Sequence, residues 1–366
     1  MNDLDRKIKT VLYDNHLRLN AKIVPFANFL MPVNYDKGLL HEYNAVRNNL
    51  GIFDVSHMGQ IIVKGVDAVK YLQHITVNNI NKMSDSSAQY NLICNMEGGI
   101  IDDIIILKQS INYFILIVNA SNIKKDYDWM ISNDNYDVEI INKSNDYSLI
   151  ALQGPDSRDF FNQVFNFNLD NSFYTFLNKK IFEADVIISR TGYTGELGYE
   201  ILSDHDTIRK IWDKFIEFNA VPCGLAVRDI LRIEMKYCLY GNDINDVINP
   251  IRAGLKWVVD LDKESFNGKD KIEEYILNSD KDKLICFIMS ERAIPRKGYA
   301  ILSNGKEIGS VTSGTFSLGL EKGIGMGYVS LNALNQSKRI KVLIRGKEMD
   351  ADIVSPPFIK GNSLYK

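Results

Sequence analysis

Three short stretches of this chain combine residue types that packing alone does not require. In Gly98–Ile106 two adjacent carboxylates, Asp102 and Asp103, interrupt an otherwise apolar, β-branched run. Successive strand residues face opposite sides, so the two cannot both face one surface. If one face packs on a core and the other lines a cavity, one Asp is exposed at the strand's start while the other points into a pocket. A plain turn-to-strand entry, with Asp bonding local backbone, is the competing reading. In Thr191–Glu200, Gly192, Gly195 and Gly198 surround Tyr193 and precede Glu200. Glycine permits positive φ and close approach of backbone to a flat heterocycle. An ionised Glu200 then offers two acceptor oxygens that match the adjacent amino and ring N–H donors of a pterin or guanine-like edge. The same residues also fit an ordinary hairpin with exposed Glu196 and Glu200. In Gly224–Glu234, Arg228 and Arg232 are four apart, on one helix face near the helix start, where they could receive an anion or orient a carboxylate. Surface ion pairs, each worth under about 1 kcal/mol, are the alternative.

Other chemistry is not indicated. His57, in AspValSerHisMetGly, has no Asp or Glu at triad-suggestive spacing and reads as a core or loop histidine. There is no Walker loop and no GlyXGlyXXGly opening a βαβ unit. Cys94, Cys223, Cys238 and Cys286 stand far apart, without the pairing of a zinc or redox motif, and read as reduced, mostly buried thiols.

The elements that must position these residues follow from the pattern. Strand-like runs (Gln60–Val63, Asp103–Leu107, Tyr113–Val118, Ser148–Leu152, Ala184–Ser189, Tyr199–Leu202) alternate with helix-like ones (Val66–Ile75, Asn122–Ser132, Ser157–Val164, Asp206–Asn219, Ala226–Tyr237). Beyond the polar patch Ser279–Lys283, short strands from Leu284 to Val354 are punctuated by Gly and Asn, the pattern of a small β-barrel or jelly-roll-like domain. The expected fold class is α+β, with residues 1–280 forming one mixed region of two intertwined subdomains and 281–366 a barrel. The chain has 366 residues, 45% hydrophobic and 24% charged, with net charge −3 and no long basic stripe, so nucleic acid is an unexpected partner. No apolar run approaches the roughly 20 residues of a membrane span, and the polar start lacks a signal-peptide core, so a cytoplasmic location is expected.

Six blocks in order resemble the aminomethyltransferase (T-protein) family of the glycine cleavage system. They are LeuTyrAspAsnHisLeuArgLeuAsnAlaLysIleValProPhe at 12–26, AsnAsnLeuGlyIlePheAspValSerHisMetGly at 48–59, AlaLeuGlnGlyPro at 151–155, GlyTyrThrGlyGluLeuGlyTyrGlu at 192–200, ArgAspIleLeuArgIleGlu with LeuTyrGlyAsnAspIle within 228–244, and GlySerValThrSerGlyThrPheSer at 309–317. Departures are AsnPheLeuMetPro at 28–32, Tyr43 where His is usual, and SerLeuGlyLeu at 317–320. The resemblance implies a three-domain cloverleaf around a channel that receives tetrahydrofolate as co-substrate, with lipoylated H-protein as partner and no metal. It implies that Asp103 is catalytic, Glu200 grips the pterin edge, Arg228 completes that pocket, and Tyr90, Met58, Asn119, Tyr193 and Trp257 form its walls. A contact near Ser363 to Tyr365 is also expected. Folate-dependent demethylases of sulfonium or N-methyl compounds, and non-catalytic iron–sulfur assembly factors, share parts of this fold and stay open, since fold alone does not decide function.

Overall fold

The strand pattern resolves into two central sheets laid face to face. In the computed structural model, which describes residues 7–277, 282–334 and 339–366, one sheet has six strands in the order Phe176–Ile181, Ala184–Ser189, Gly198–Asp204, Tyr147–Gln153, Gly51–Asp54, Val221–Cys223. The other has five, in the order Ser87–Cys94, Ile100–Ser110, Tyr113–Val118, Gly59–Lys64, Glu139–Asn142. Period-2 alternation explains the layering. Ala151, Leu202, Ile62 and Ile115 point inward and share one core between the sheets. Their neighbours Ile150 and Ile201 point out to Phe161, Ile208 and Trp212 of the helices Ser157–Phe165 and His205–Glu217. On the other side Ile61 and Leu116 meet Leu72 and Met130 of the helices Ala68–Ile75 and Ile123–Ser132.

The C-terminal strands close into a six-stranded barrel, in the order Asp282–Met289, Lys322–Ser330, Lys306–Ser317, Ala300–Ser303, Arg339–Ile344, Lys347–Val354. Alternation again divides the strand Asp282–Met289: Ile285 and Phe287 fill the barrel's own core, whereas Leu284 and Cys286 pack on Leu92, Ile100 and Ile233 of the preceding region. The α+β class with a C-terminal barrel is therefore observed. Most of the Ser279–Lys283 patch, and with it the expected division near residue 280, lies at 278–281, outside the described residues. All four cysteines are buried and free.

The N-terminal 40 or so residues hold structure that periodicity did not indicate. A three-stranded sheet (Ile8–Lys9, Phe29–Asn34, Lys22–Phe26) and the helices Tyr13–Arg18 and Leu39–Asn48 lie beside the six-stranded sheet. Polar contacts anchor them: Asp54 accepts hydrogen bonds from Thr10 and His16, at 2.7 and 2.9 Å, and His16 meets the Tyr35 hydroxyl at 2.9 Å.

One guanidinium ties these parts together. Arg47, on the helix Leu39–Asn48, donates to Glu196 at 2.8 Å, to the carbonyl of Thr194 at 2.9 Å and to Glu234 at 2.5 Å. Glu196 also accepts from the backbone N–H and hydroxyl of Ser363, and Glu234 from the hydroxyls of Tyr43 and Ser317. Tyr43 thus fills its unusual position with a donor. Because both carboxylates are buried, removing their shared cation leaves two uncompensated charges. Arg47→Met is expected to destabilise the protein by about 3–5 kcal/mol, read as a lowered urea midpoint; a midpoint equal to that of the parent would remove Arg47 from this role.

Candidate active site

The sheets, the segment after the helix Leu225–Glu234, and the barrel meet around a cavity of about 1070 Å³. Asp103, Glu200, Arg228, Tyr90, Met58, Asn119, Tyr193 and Trp257 all line it. The sequence placed these residues on different elements, and the fold brings them to one space. Ser363 is buried against Glu196 away from the cavity lining, and Tyr365 is 80% exposed with its ring edge on Phe173, which does line the cavity.

At one end is a carboxylate cluster. The strand Ile100–Ser110 turns Asp103 into the cavity and Asp102 the other way, as alternation requires, but Asp102 is fully buried rather than exposed. The reason is the next strand's end: Asn119, just beyond Tyr113–Val118, donates its side-chain N–H groups to Asp102 and to Asp103, each at 2.8 Å. Its backbone N–H reaches Asp102 at 3.0 Å, and Asn122 adds a donor to Asp102 at 2.6 Å. Asp103 also accepts from the Tyr90 hydroxyl at 3.1 Å, and the Tyr90 ring stacks on Trp257 with centroids 5.7 Å apart. Burial, followed by the charge of Asp102, pushes Asp103 up to about 7, against the hydrogen bonds from Tyr90 and Asn119 that lower it.

The glycine-rich loop forms another part of the lining. Thr191 donates to Glu200 and holds one of its oxygens. Gly192 and Gly198 have a different task from the one their spacing suggested. A Cβ at either position would meet the buried Gln153 side chain, at 2.1 and 2.4 Å, so these glycines admit a protein side chain. The Arg228 guanidinium lies over the Tyr193 ring, 4.5 Å from its centroid, and Tyr193 in turn stacks on Tyr237. The Arg228 guanidinium has no hydrogen-bond partner among the described residues, and burial lowers its pKa against the opposing effect of Tyr193 and Glu200. Arg232, one turn on, is not its twin. It is buried in a structural network, donating to Asp243 at 2.8 Å, to Ser313 of the barrel at 2.9 Å and to Asp229 at 2.8 Å.

His57 was read as a core or loop residue, yet it lines the cavity. Its Nδ1 is buried without a partner, Phe26 packs edge-on against it, and burial followed by the nearby Arg228 charge lowers it to about 4. Only its position in the fold reveals this, since nothing adjacent in sequence marks it. The arrangement as a whole offers an aromatic-walled space lined by carboxylate acceptors and by a guanidinium that no described residue engages. Among the described residues no group of His, Cys, Asp and Glu could hold a metal ion, and no helix is long and apolar enough to cross a membrane.

The raised Asp103 makes a stability prediction with a definite sign. Its native pKa exceeds the unfolded value of about 4, so between pH 4 and 7 the unfolded chain gives up a proton that the native state retains. This contribution to stability falls as pH rises through that window. Asp103→Asn, which cannot ionise, is expected to gain about 2–4 °C in Tm over the parent at pH 8 relative to pH 4; parallel melting profiles would contradict the buried, raised carboxyl.

With this geometry, known proteins can be compared. The GCVT N-terminal domain family matches residues 12–263, and the glycine cleavage T-protein C-terminal barrel domain family matches 283–360. An aminomethyltransferase of Halothermothrix orenii is 42% identical over 96% of this chain and 99% of its own length. One from Flavobacterium psychrophilum is 43% identical over 96% and 99%. The crystal structure of the glycine cleavage system aminomethyltransferase T from Bartonella henselae superposes with a TM-score of 0.92 at 29% identity, covering 97% of this chain and 99% of that one. Matched along nearly its whole length in sequence and in fold, the chain belongs to the glycine cleavage T-protein family of aminomethyltransferases.

Proposed function

We propose that the chain transfers the aminomethyl carbon of lipoylated H-protein to tetrahydrofolate in the cytoplasm, giving 5,10-methylenetetrahydrofolate, ammonia and dihydrolipoyl H-protein. In this reading residues 1–280 form the folate-binding part and 281–366 a barrel unit. The observation that carries it is the pairing, across one cavity, of a raised carboxyl at Asp103 with the Glu200 acceptor and the unpartnered Arg228 guanidinium. Full-length similarity to aminomethyltransferases favours this over the demethylase and assembly-factor readings.

The residues present fit a folate. Glu200 supplies acceptor oxygens for the donor edge of a pterin, Arg228 supplies guanidinium donors that no described residue uses, and Tyr193, Tyr90 and Trp257 supply aromatic walls. Tetrahydrofolate held there would supply two nitrogens, one in its reduced pterin ring and one in the adjoining linker, each giving up a hydrogen as it bonds the transferred carbon. The carbon loses its bonds to nitrogen and sulfur, and the two hydrogens leave with ammonia and thiol. Asp103 orients the reacting amine and favours the positive charge that develops there, an electrostatic task that needs no covalent bond to the protein. Asn119 and Tyr90 hold that carboxylate in place.

Ammonia release from aminomethyl-loaded H-protein, dependent on tetrahydrofolate, is the expected activity; methyltetrahydrofolate formed from dimethylsulfoniopropionate would point to the demethylase class. Variants separate chemistry from binding. Asp103→Asn keeps size and one acceptor but loses the charge, so single-turnover transfer should fall roughly 100-fold while folate affinity changes little. Glu200→Gln places an amide donor against ligand donors and should weaken folate binding by about 2 kcal/mol. Wild-type turnover in the first variant, or unchanged affinity in the second, removes that residue from its role.

A further inference from the structure

Behind Asp103 lies a third acid that the transfer reaction itself does not use. Asp126, in the first turn of the helix Ile123–Ser132, is 0% exposed, and neither of its carboxyl oxygens receives a hydrogen bond from any N–H or hydroxyl among the described residues. Asp102 beside it is the opposite case. Its oxygens accept from the backbone and side chain of Asn119 and from Asn122, the pattern of an ionised carboxylate. An ionised Asp126 would put a second unsolvated charge against that anion. As a carboxylic acid it has instead one proton to give, and Asp102 is the acceptor in reach.

The groups around Asp126 are consistent with that state. Asp102 faces it from the strand Ile100–Ser110 and opposes its ionisation, as does, more weakly, the charge of Asp103 on the other side of that strand. Lys125, adjacent on the helix, favours its ionisation, but the Lys125 ammonium is engaged elsewhere, donating to the carbonyl of Ile101 at 2.6 Å and to the Tyr240 hydroxyl at 2.7 Å. Asp246 and the Tyr240 phenol complete the set and add no further positive charge. The field at the helix N-terminus favours an anion, but it is a smaller effect than burying two unpaired oxygens beside another carboxylate.

We propose that Asp126 is a positioning residue for Asp103: as a neutral acid it donates to Asp102, so that Asp102 stays an acceptor for Asn119 and Asn119 in turn fixes the Asp103 carboxylate. The chain runs from Asp126 to Asp102, from Asp102 to Asn119 and from Asn119 to Asp103; the last two links are hydrogen bonds at 2.8 Å, and the first is the one the proposed proton makes. Asp126 touches no cavity surface, so it acts only through the others. A donor to Asp102 also draws its negative charge away from Asp103, which eases ionisation of Asp103 and so sets the pH at which Asp103 becomes the charged form. The role of the relay rests on the reading of Asp103 above, but the protonation state of Asp126 does not.

Two measurements test it. The infrared difference spectrum between the intact protein and Asp126→Asn at pH 7 should contain the C=O stretch of a buried carboxylic acid; its absence overturns the proposal, whether or not the protein proves active. The pH profile of single-turnover aminomethyl transfer gives the second. Asp126→Ala, having lost the donor, should move the acid limb up by about one pH unit, and Asp126→Asn, which keeps an N–H donor, should return the limb to within a few tenths of a unit of the parent. A merely structural role predicts lower turnover with the limb unmoved, and an ionised Asp126 predicts a limb that moves down in Asp126→Asn; either result contradicts the relay. If Asp126→Ala does not fold, the spectrum and the Asp126→Asn profile still decide between these outcomes. If the parent shows no transfer, the functional reading fails while the spectrum still reports on Asp126.

Discussion

Two buried carboxylates, Glu196 and Glu234, share a single guanidinium, and the arrangement around the cavity depends on that sharing. Arg47 cannot leave either acid without exposing a bare charge to a dry interior. Through it the glycine-rich loop, the helix Leu225–Glu234 and the helix Leu39–Asn48 are fixed to one another, while Ser317 brings in the barrel and Ser363 the C-terminal segment. Arg232 repeats the logic nearby, joining Asp243 and the barrel residue Ser313. Apolar packing brings the sheets and barrel into contact, and these buried charges specify the geometry in which they meet.

The cavity inherits that geometry as a separation of charge. Asp103 lines it, with Asp102 and Asp126 in the protein behind, and Asn119 and Asn122 supply the N–H donors that hold Asp103 and Asp102. Glu200 and Arg228 line it as well, and no described residue engages the guanidinium donors of Arg228. In the proposed reaction these two select the ligand and Asp103 acts on it. The aromatic pairs Tyr90 on Trp257 and Tyr193 on Tyr237 wall the space.

Much of this was legible in the sequence. The alternation of Ile61 and Ile62, or of Ile150 and Ala151, marks the two faces of each sheet, and the family resemblance implied one pocket for Glu200 and Arg228, which lie in its matching blocks, and for Asp103, which lies outside them. What was not legible has physical causes. The strand Ser87–Cys94 carries Gln89 and Asn91, whose amides bond each other at 2.9 Å, so its inward polar residues break the apolar pattern that marks a strand. Asp126 sits in a lysine- and aspartate-rich helix segment that resembles a solvated face; only the packing of that helix on the sheet buries it. His57 has no informative neighbour in sequence, and the glycines were credited to a ligand when two of them accommodate Gln153.

A crystal structure with tetrahydrofolate bound tests the roles of Asp103, Glu200 and Arg228 most directly. The expected result is a pterin whose donor edge lies on Glu200, with Arg228 completing its pocket and the nitrogens that receive the carbon within hydrogen-bond reach of Asp103. A pterin seated elsewhere, or reversed so that its donor edge meets Asp103 while Glu200 and Arg228 remain free, would contradict it.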